Sequence, residues 1–163
     1  MIVILDNIRS MHNVGSIFRT ADAAGVERIY LGGITPEPVD RLDRPRPQMT
    51  KVSLGAEKNI PWEKAASVLR LLAKLKKDDY AIVALEQDER SVPYDELHKQ
   101  KFTDYKIALV IGNEVDGVDK KVLARCDVIA EIPMAGAKES LNVAVAFGIM
   151  AFQLRTVEKR KRG

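Results

Sequence analysis

Three short stretches bring polar side chains and small residues together in ways that permit chemistry. In "HNVGSIFRTAD" (residues 12–22) the apolar residues Val14, Ile17, Phe18 and Ala21, continued by Ala24, form a helical stripe. Arg19 lies off that stripe and shares a flank with Gly15 and Ala23, one turn before and one turn after it. A solvated surface arginine is the plain reading, and it leaves open why both neighbours are so small. Asn13 stands where a helix N-cap would. In "VIGNEVDGV" (110–118), Gly112, Asn113, Glu114 and Gly117 follow an apolar run. Glycines there let backbone groups approach a ligand closely, and an ordinary strand-to-helix turn is the alternative. In "EIPMAGAKESLNVAVA" (131–146) a proline-bounded segment leads to Ser140, a good helix cap, with Asn142 two residues on. Each stretch is expected at the carboxyl end of a strand, where ligands bind in open α/β sheets. Three turns with polar groups to spare can meet at one site.

The elements around them alternate. "IVIL" (2–5) precedes the Arg19 helix, which should end at Gly25. "RIYL" (28–31) reads as a second strand, and "GGITPEPVDRLDRPRPQ" (32–48) as loop. "WEKAASVLRLLAKLKK" (62–77) reads as one amphipathic helix with Ala66, Leu69, Leu72, Ala73 and Leu75 or Lys76 along its inner edge. "YAIVAL" (80–85) and "KIALVIG" (106–112) are near-continuous apolar runs, as suits strands covered on both faces of a parallel sheet. "VIAEIP" (128–133) is a further strand, and residues 86–105 read as a polar surface excursion. The last helix is expected from about Ser140 to Val157. The order predicts an α/β fold with a mainly parallel sheet flanked by helices. That last helix is apolar nearly all round. Either it is a central core helix or a second copy of the chain covers part of it.

Composition narrows the function classes. The chain has 163 residues, 46% hydrophobic and 30% charged, enough for one domain with a real core. A net charge of +3 permits a polyanionic partner without requiring one. The basic residues cluster in "RLDRPRPQMTK" (Arg41, Arg44, Arg46, Lys51) and in the tail 155–163, which holds Lys159 and Arg160. Together they suggest a nucleic-acid surface. Cys126 is the single cysteine, so neither a disulfide framework nor a zinc set is available, and a reducing cytoplasm is expected. No signal peptide is recognisable, and no apolar run is long enough to span a membrane. There is no dinucleotide glycine fingerprint, no phosphate-loop lysine and no nucleophile elbow, and His12 and His98 lack metal-ligand spacing. No metal site is expected.

The three stretches resemble, in order, the three motifs of the SpoU/TrmH family of RNA ribose 2′-O-methyltransferases in the SPOUT superfamily. "NVGSIFRTA" is similar to the first motif, with Asn13, Gly15 and Arg19. "IGNEVDGV" is similar to the second, with Gly112, Glu114 and Gly117. "IPMAGAKESLNVAVA" is similar to the third, with Ile132, Pro133, Ser140, Leu141 and Asn142. The resemblance covers nearly the whole chain. It implies a C-terminal deep trefoil knot, a homodimer, and S-adenosylmethionine bound in the knot by three loops. Mapped onto this chain, these loops involve Leu85, Gly112, and the stretch with Ile132, Met134, Ser140 and Leu141. It also implies RNA as substrate, with transfer RNA favoured over ribosomal RNA, since single-domain relatives often act on it. On this reading residues 1–163 are one minimal catalytic domain with a basic tail.

The implied reaction is attack of a ribose 2′-oxygen on the sulfonium methyl. Arg19 would be its general base or a phosphate clamp. Guanidinium rarely deprotonates in proteins, whereas a bidentate clamp needs no such shift. Gly15 and Ala23 would leave open space around it. Asn13 would orient ribose or phosphate, and Glu114 would orient Arg19 or a cofactor group or act only in the turn. Ser140 and Asn142 would hydrogen-bond near Arg19 and the methionine end of the cofactor. Arg41, Arg44, Arg46, Lys159 and Arg160 would touch RNA. A non-catalytic RNA-binding homodimer that keeps the knotted fold is the alternative. A base methyltransferase on the same fold is disfavoured by the motif set.

Overall fold

Five strands of the sheet carry apolar residues on both faces, and each face is covered by its own helices. The structure is a computed structural model that describes residues 1–100 and 105–160, without the side chains of Lys159 and Arg160. The strands are β1 (Ile2–Asp6), β2 (Arg28–Gly32), β3 (Trp62–Ala65), β4 (Tyr80–Leu85), β5 (Val92–Pro93), β6 (Lys106–Ile111) and β7 (Val128–Glu131). Their order across the sheet is β3-β2-β1-β6-β4-β7-β5, and every pairing is parallel. The helices are α1 (Met11–Ala24), α2 (Pro47–Ser53), α3 (Ala56–Asn59), α4 (Val68–Lys77), α5 (Lys120–Leu123) and α6 (Val143–Arg160), with a 3-10 helix at Tyr94–Lys99. Val3, Leu5, Val83, Leu109 and Ile111 pack on the side of α1 and α6. Ile2, Ile4, Ile82, Ala84 and Val110 pack on the side of α4 and α5. Two-sided burial is why these strands read as continuous apolar runs.

α1 is bounded by local chemistry. Ser10 Oγ accepts from Asn13 N at 3.2 Å, so Ser10 is the cap and Asn13 sits in the first turn. Gly25, at φ +69°, closes the other end by donating its N–H to Ala21 and Asp22 carbonyls. The apolar stripe Val14, Ile17, Phe18, Ala21 and Ala24 is buried as its spacing requires.

Four further expectations need correction. Residues 62–77 are two elements: Trp62–Ala65 pairs with β2, and α4 starts after Ser67, whose Oγ accepts from Arg70 N. A free sheet edge overrides the helix propensity of "WEKA". The excursion 86–105 is not only surface, because β5 extends the sheet and Leu97 is fully buried. The last helix begins at Val143, where Asn142 Oδ1 accepts from Ala144 N at 2.9 Å, so Asn142 replaces Ser140 as the cap. α6 is not a central helix either. It buries Phe147, Met150, Ala151, Leu154 and Val157, and leaves Val145 and Phe152 about half exposed.

Candidate active site

Because the sheet is parallel, β1, β4, β6 and β7 deliver their C-terminal ends to one side. A cavity of about 290 Å³ opens there. Its walls are Leu85, Glu86 and Gln87 at the end of β4, Ile111 and the turn to Gly117 at the end of β6, and Glu131, Ile132 and Met134 at the end of β7. Ser140, Leu141, Val143 and Ala146 come from the start of α6 and the segment before it. Leu85, Gly112, Ile132, Met134, Ser140 and Leu141, the six residues that the third and second motifs and the β4 loop single out, all line it.

The turn after β6 is braced from every direction. Asn113 and Gly117 exchange backbone bonds at 2.9 and 3.0 Å. Asn113 Oδ1 accepts from Val115 N and Asp116 N, and its Nδ2 donates to Asn7 O at 2.7 Å. A Cβ on Gly112 would collide with the backbone of Gly117 and Val118, so glycine here is a steric requirement. Gly117 has φ +69°, and a Cβ on it would strike the Glu86 carboxylate. Glu86 in turn accepts from Val118 N and Gln87 N, both at 2.8 Å.

Glu114 leaves this turn and reaches the start of α1. Its Oε2 accepts from Arg9 N at 2.9 Å, and its Oε1 from Ser10 N at 3.1 Å and Asn13 Nδ2 at 3.0 Å. Burial alone would raise the Glu114 carboxyl. The bonds from Arg9 N–H, Asn13 and Ser10 N–H outweigh that and hold it below its ordinary value. Asn13 Oδ1 then accepts from Asn142 Nδ2 at 3.2 Å. One residue from each motif thus forms a hydrogen-bonded chain, Glu114–Asn13–Asn142.

Arg19 is apart from this chain. It is exposed on α1 and is not among the residues lining the cavity. Its small neighbour Gly15 is buried, not open: a Cβ there would lie 2.7 Å from Met49 O, so the glycine admits α2 against α1. Only Ala23 leaves space on that flank. The basic loop is similarly sorted. Arg44 is bound to Asp40 through Nε at 2.9 Å, and Arg46 Nε donates to Val39 O at 3.0 Å, while Arg41 is exposed. The Lys159 and Arg160 side chains lie outside the described residues. Sequence reasoning missed Ser10, Glu86, Gln87 and Glu131. The last three directly follow or end buried strands, which is the signal that could have found them.

Residues 1–152 match the SpoU rRNA Methylase family. The chain belongs to that family. It is 34% identical over 154 residues to the 23S rRNA (guanosine-2'-O-)-methyltransferase RlmB of Xylella fastidiosa, covering 94% of this chain and 57% of the relative. It is 33% identical over 152 residues to the RlmB of Escherichia coli strain K12, covering 93% and 58%. This chain therefore spans a little over half the length of these curated relatives. Among solved structures, the A. aeolicus TrmH/SpoU tRNA modifying enzyme aligns with TM-score 0.81 at 30% identity, covering 99% of this chain and 76% of that one. An AdoMet-bound rRNA methyltransferase from Sinorhizobium meliloti aligns with TM-score 0.82 at 32% identity, covering 94% and 55%. As a SpoU family member, this chain presents all three motifs at one set of strand ends.

Proposed function

We propose that this chain is an RNA ribose 2′-O-methyltransferase using S-adenosylmethionine, and that the cavity at the ends of β4, β6 and β7 is its cofactor site. The observation that carries this reading is the Glu114–Asn13–Asn142 chain, which ties one residue of each motif together beside the cavity that Glu114 lines. The cavity suits the cofactor. Four of its lining residues are carboxylates (Glu86, Glu114, Asp116 and Glu131) and none is Lys or Arg, which favours a sulfonium cation. Leu85, Ile111, Val143 and Ala146 give the opposite, apolar side that a purine needs. Bound there, S-adenosylmethionine supplies an electrophilic methyl group, and the products are a 2′-O-methyl ribose, S-adenosylhomocysteine and a proton.

The protein's part is positioning. Glu114 fixes the entry of α1 and the Asn13 amide. Asn13 and Asn142 present polar groups at the motif junction to orient the incoming ribose, and Ser140 lines the cavity between them and the cofactor. Arg19 lies six residues, or about 9 Å, further along α1 than Asn13. From there it faces RNA as a bidentate clamp on a phosphate, a role that needs no deprotonation of guanidinium. Arg41 and the tail residues Lys159 and Arg160 add phosphate contacts. A second copy covers Val145 and Phe152 on α6. The insertion of β4 and β7 outside β6 fits the C-terminal knot of the family. Residues 1–163 act as one catalytic domain in the cytoplasm. For the substrate, relatives named for 23S rRNA guanosine put ribosomal RNA first. The transfer-RNA preference finds no support in those names, although one aligned structure is titled a tRNA modifying enzyme.

The test is incubation with methyl-labelled S-adenosylmethionine and separate unmodified ribosomal and transfer RNA pools, followed by nucleoside analysis. Label in a 2′-O-methyl nucleoside is expected. Neither label nor cofactor binding would move the reading to a non-catalytic RNA-binding dimer. Arg19→Ala should lower turnover roughly 10²- to 10⁴-fold at unchanged cofactor Kd, and retained turnover would remove its role.

A further inference from the structure

Of the four carboxylates on the cavity wall, three are already engaged. Glu86 holds two backbone N–H groups, Glu114 holds the start of α1, and Asp116 pairs with Arg9 at 3.4 Å. Glu131 has no hydrogen-bond or ion-pair partner for its side chain among the described residues. It is nonetheless half-buried, at the last position of β7, and it lines the cavity. By strand alternation it projects to the same side as Ile129, the side of α5, away from the apolar wall below α6. It also stands across the cavity from the reacting end. The motif junction lies at β1 and β6, and β4 intervenes between β6 and β7, so the two walls are about 10 Å apart. The group transferred must face the junction. What reaches Glu131 is therefore the nucleoside end of the cofactor, where the hydrogen-bond donors beside the purine are the two vicinal ribose hydroxyls. A carboxylate can accept from both at once.

Resting on the cofactor reading above, we propose that Glu131 reads the cofactor's ribose by accepting hydrogen bonds from its 2′- and 3′-hydroxyls.

The test is calorimetric titration of the intact chain with S-adenosylhomocysteine, with its 2′-deoxy and 3′-deoxy ribose analogues, and with 5′-methylthioadenosine. The last keeps both hydroxyls and lacks the amino-acid tail. Wild type should lose roughly 10- to 100-fold in affinity when a hydroxyl is removed. Glu131→Ala should bind S-adenosylhomocysteine weakly by a similar factor and no longer distinguish the deoxy analogues. Its loss should be equally large for 5′-methylthioadenosine. Glu131→Gln, which keeps the shape, controls for folding alongside circular dichroism and should show an intermediate loss. Full discrimination of the deoxy analogues by Glu131→Ala would overturn the proposal. So would a Glu131→Ala penalty that vanishes for 5′-methylthioadenosine, since the partner would then be the ammonium group. If wild type binds none of the four ligands, the cofactor reading itself fails, and this proposal with it.

Discussion

The two long turns that face the cavity are built in opposite ways. The turn after β6 is cross-linked to itself, to the end of β1, to the start of α1 and to Glu86. The segment 132–141 after β7 has no helix or strand, and most of its side chains are exposed. Among the described residues its one tie from side chain to backbone is Gln87 Nε2 donating to Glu139 O at 2.7 Å, and Asn142 just beyond its end is tied to Asn13. Preorganisation of one wall lowers the cost of binding, while the other wall is free to adapt to what enters. On the proposed reading, the first wall would fix where a cofactor sits and the second would adjust around it.

The contrast is sharpest at two glycines. Gly112→Val drives a side chain into the Gly117–Val118 backbone. Cofactor affinity should fall roughly 10- to 100-fold, as overpacking of a fixed structure predicts. An unchanged Kd by calorimetry would show that the braced turn is not the rigid wall. Glu114→Gln should have the next largest effect, about tenfold on turnover, because it loosens α1 from the turn while leaving the cavity in shape. It also carries a pH signature. The Glu114 carboxyl is held below its ordinary value of 4.5, so its bonds stabilise the fold above that value and are lost as pH falls through the depressed one. Thermal melts between pH 3 and 6 should therefore show a shallower loss of Tm on acidification in Glu114→Gln than in wild type. Gln87→Ala removes the one side-chain strap found on the loose wall among the described residues and should cost only a few-fold in Kd. It should also speed tryptic cleavage at exposed Lys138, and S-adenosylhomocysteine should protect that bond. Gly136→Ala should be nearly silent in both assays, since a Cβ there meets nothing within 4 Å. A large effect at Gly136 would mean that the loose wall is already shaped.

The same contrast explains what the sequence disclosed. The five central strands were legible because burial on both faces leaves mostly apolar residues in them, with the charged ones at their ends, and α1 was legible from its stripe and Gly25. β3 was not, because "WEKA" carries helix formers and becomes a strand only through the neighbouring edge of β2. The cavity-lining glycines and Ser140 were legible as motif members. The braces were not: Glu86 to Val118 and Glu114 to Arg9 join residues far apart in the chain, and no local pattern encodes the pairing. Gly15 shows the limit of face reasoning. A helical wheel places it beside Arg19 and says nothing of α2, which claims the space.

The position of β1 sets a timetable for the growing chain. Ile2 pairs with Arg28 on one side and with Ala108 on the other. The first partner is made early, and the second only about 80 residues after it. At about 5–20 residues per second, β1 waits on the order of 5–20 s with one edge bare. Closing so long a loop is entropically slow, and a bare apolar strand is open to pairing with another chain in the interval. The same central strand that leads into α1 is thus the one that nascent copies of this protein must be kept from sharing.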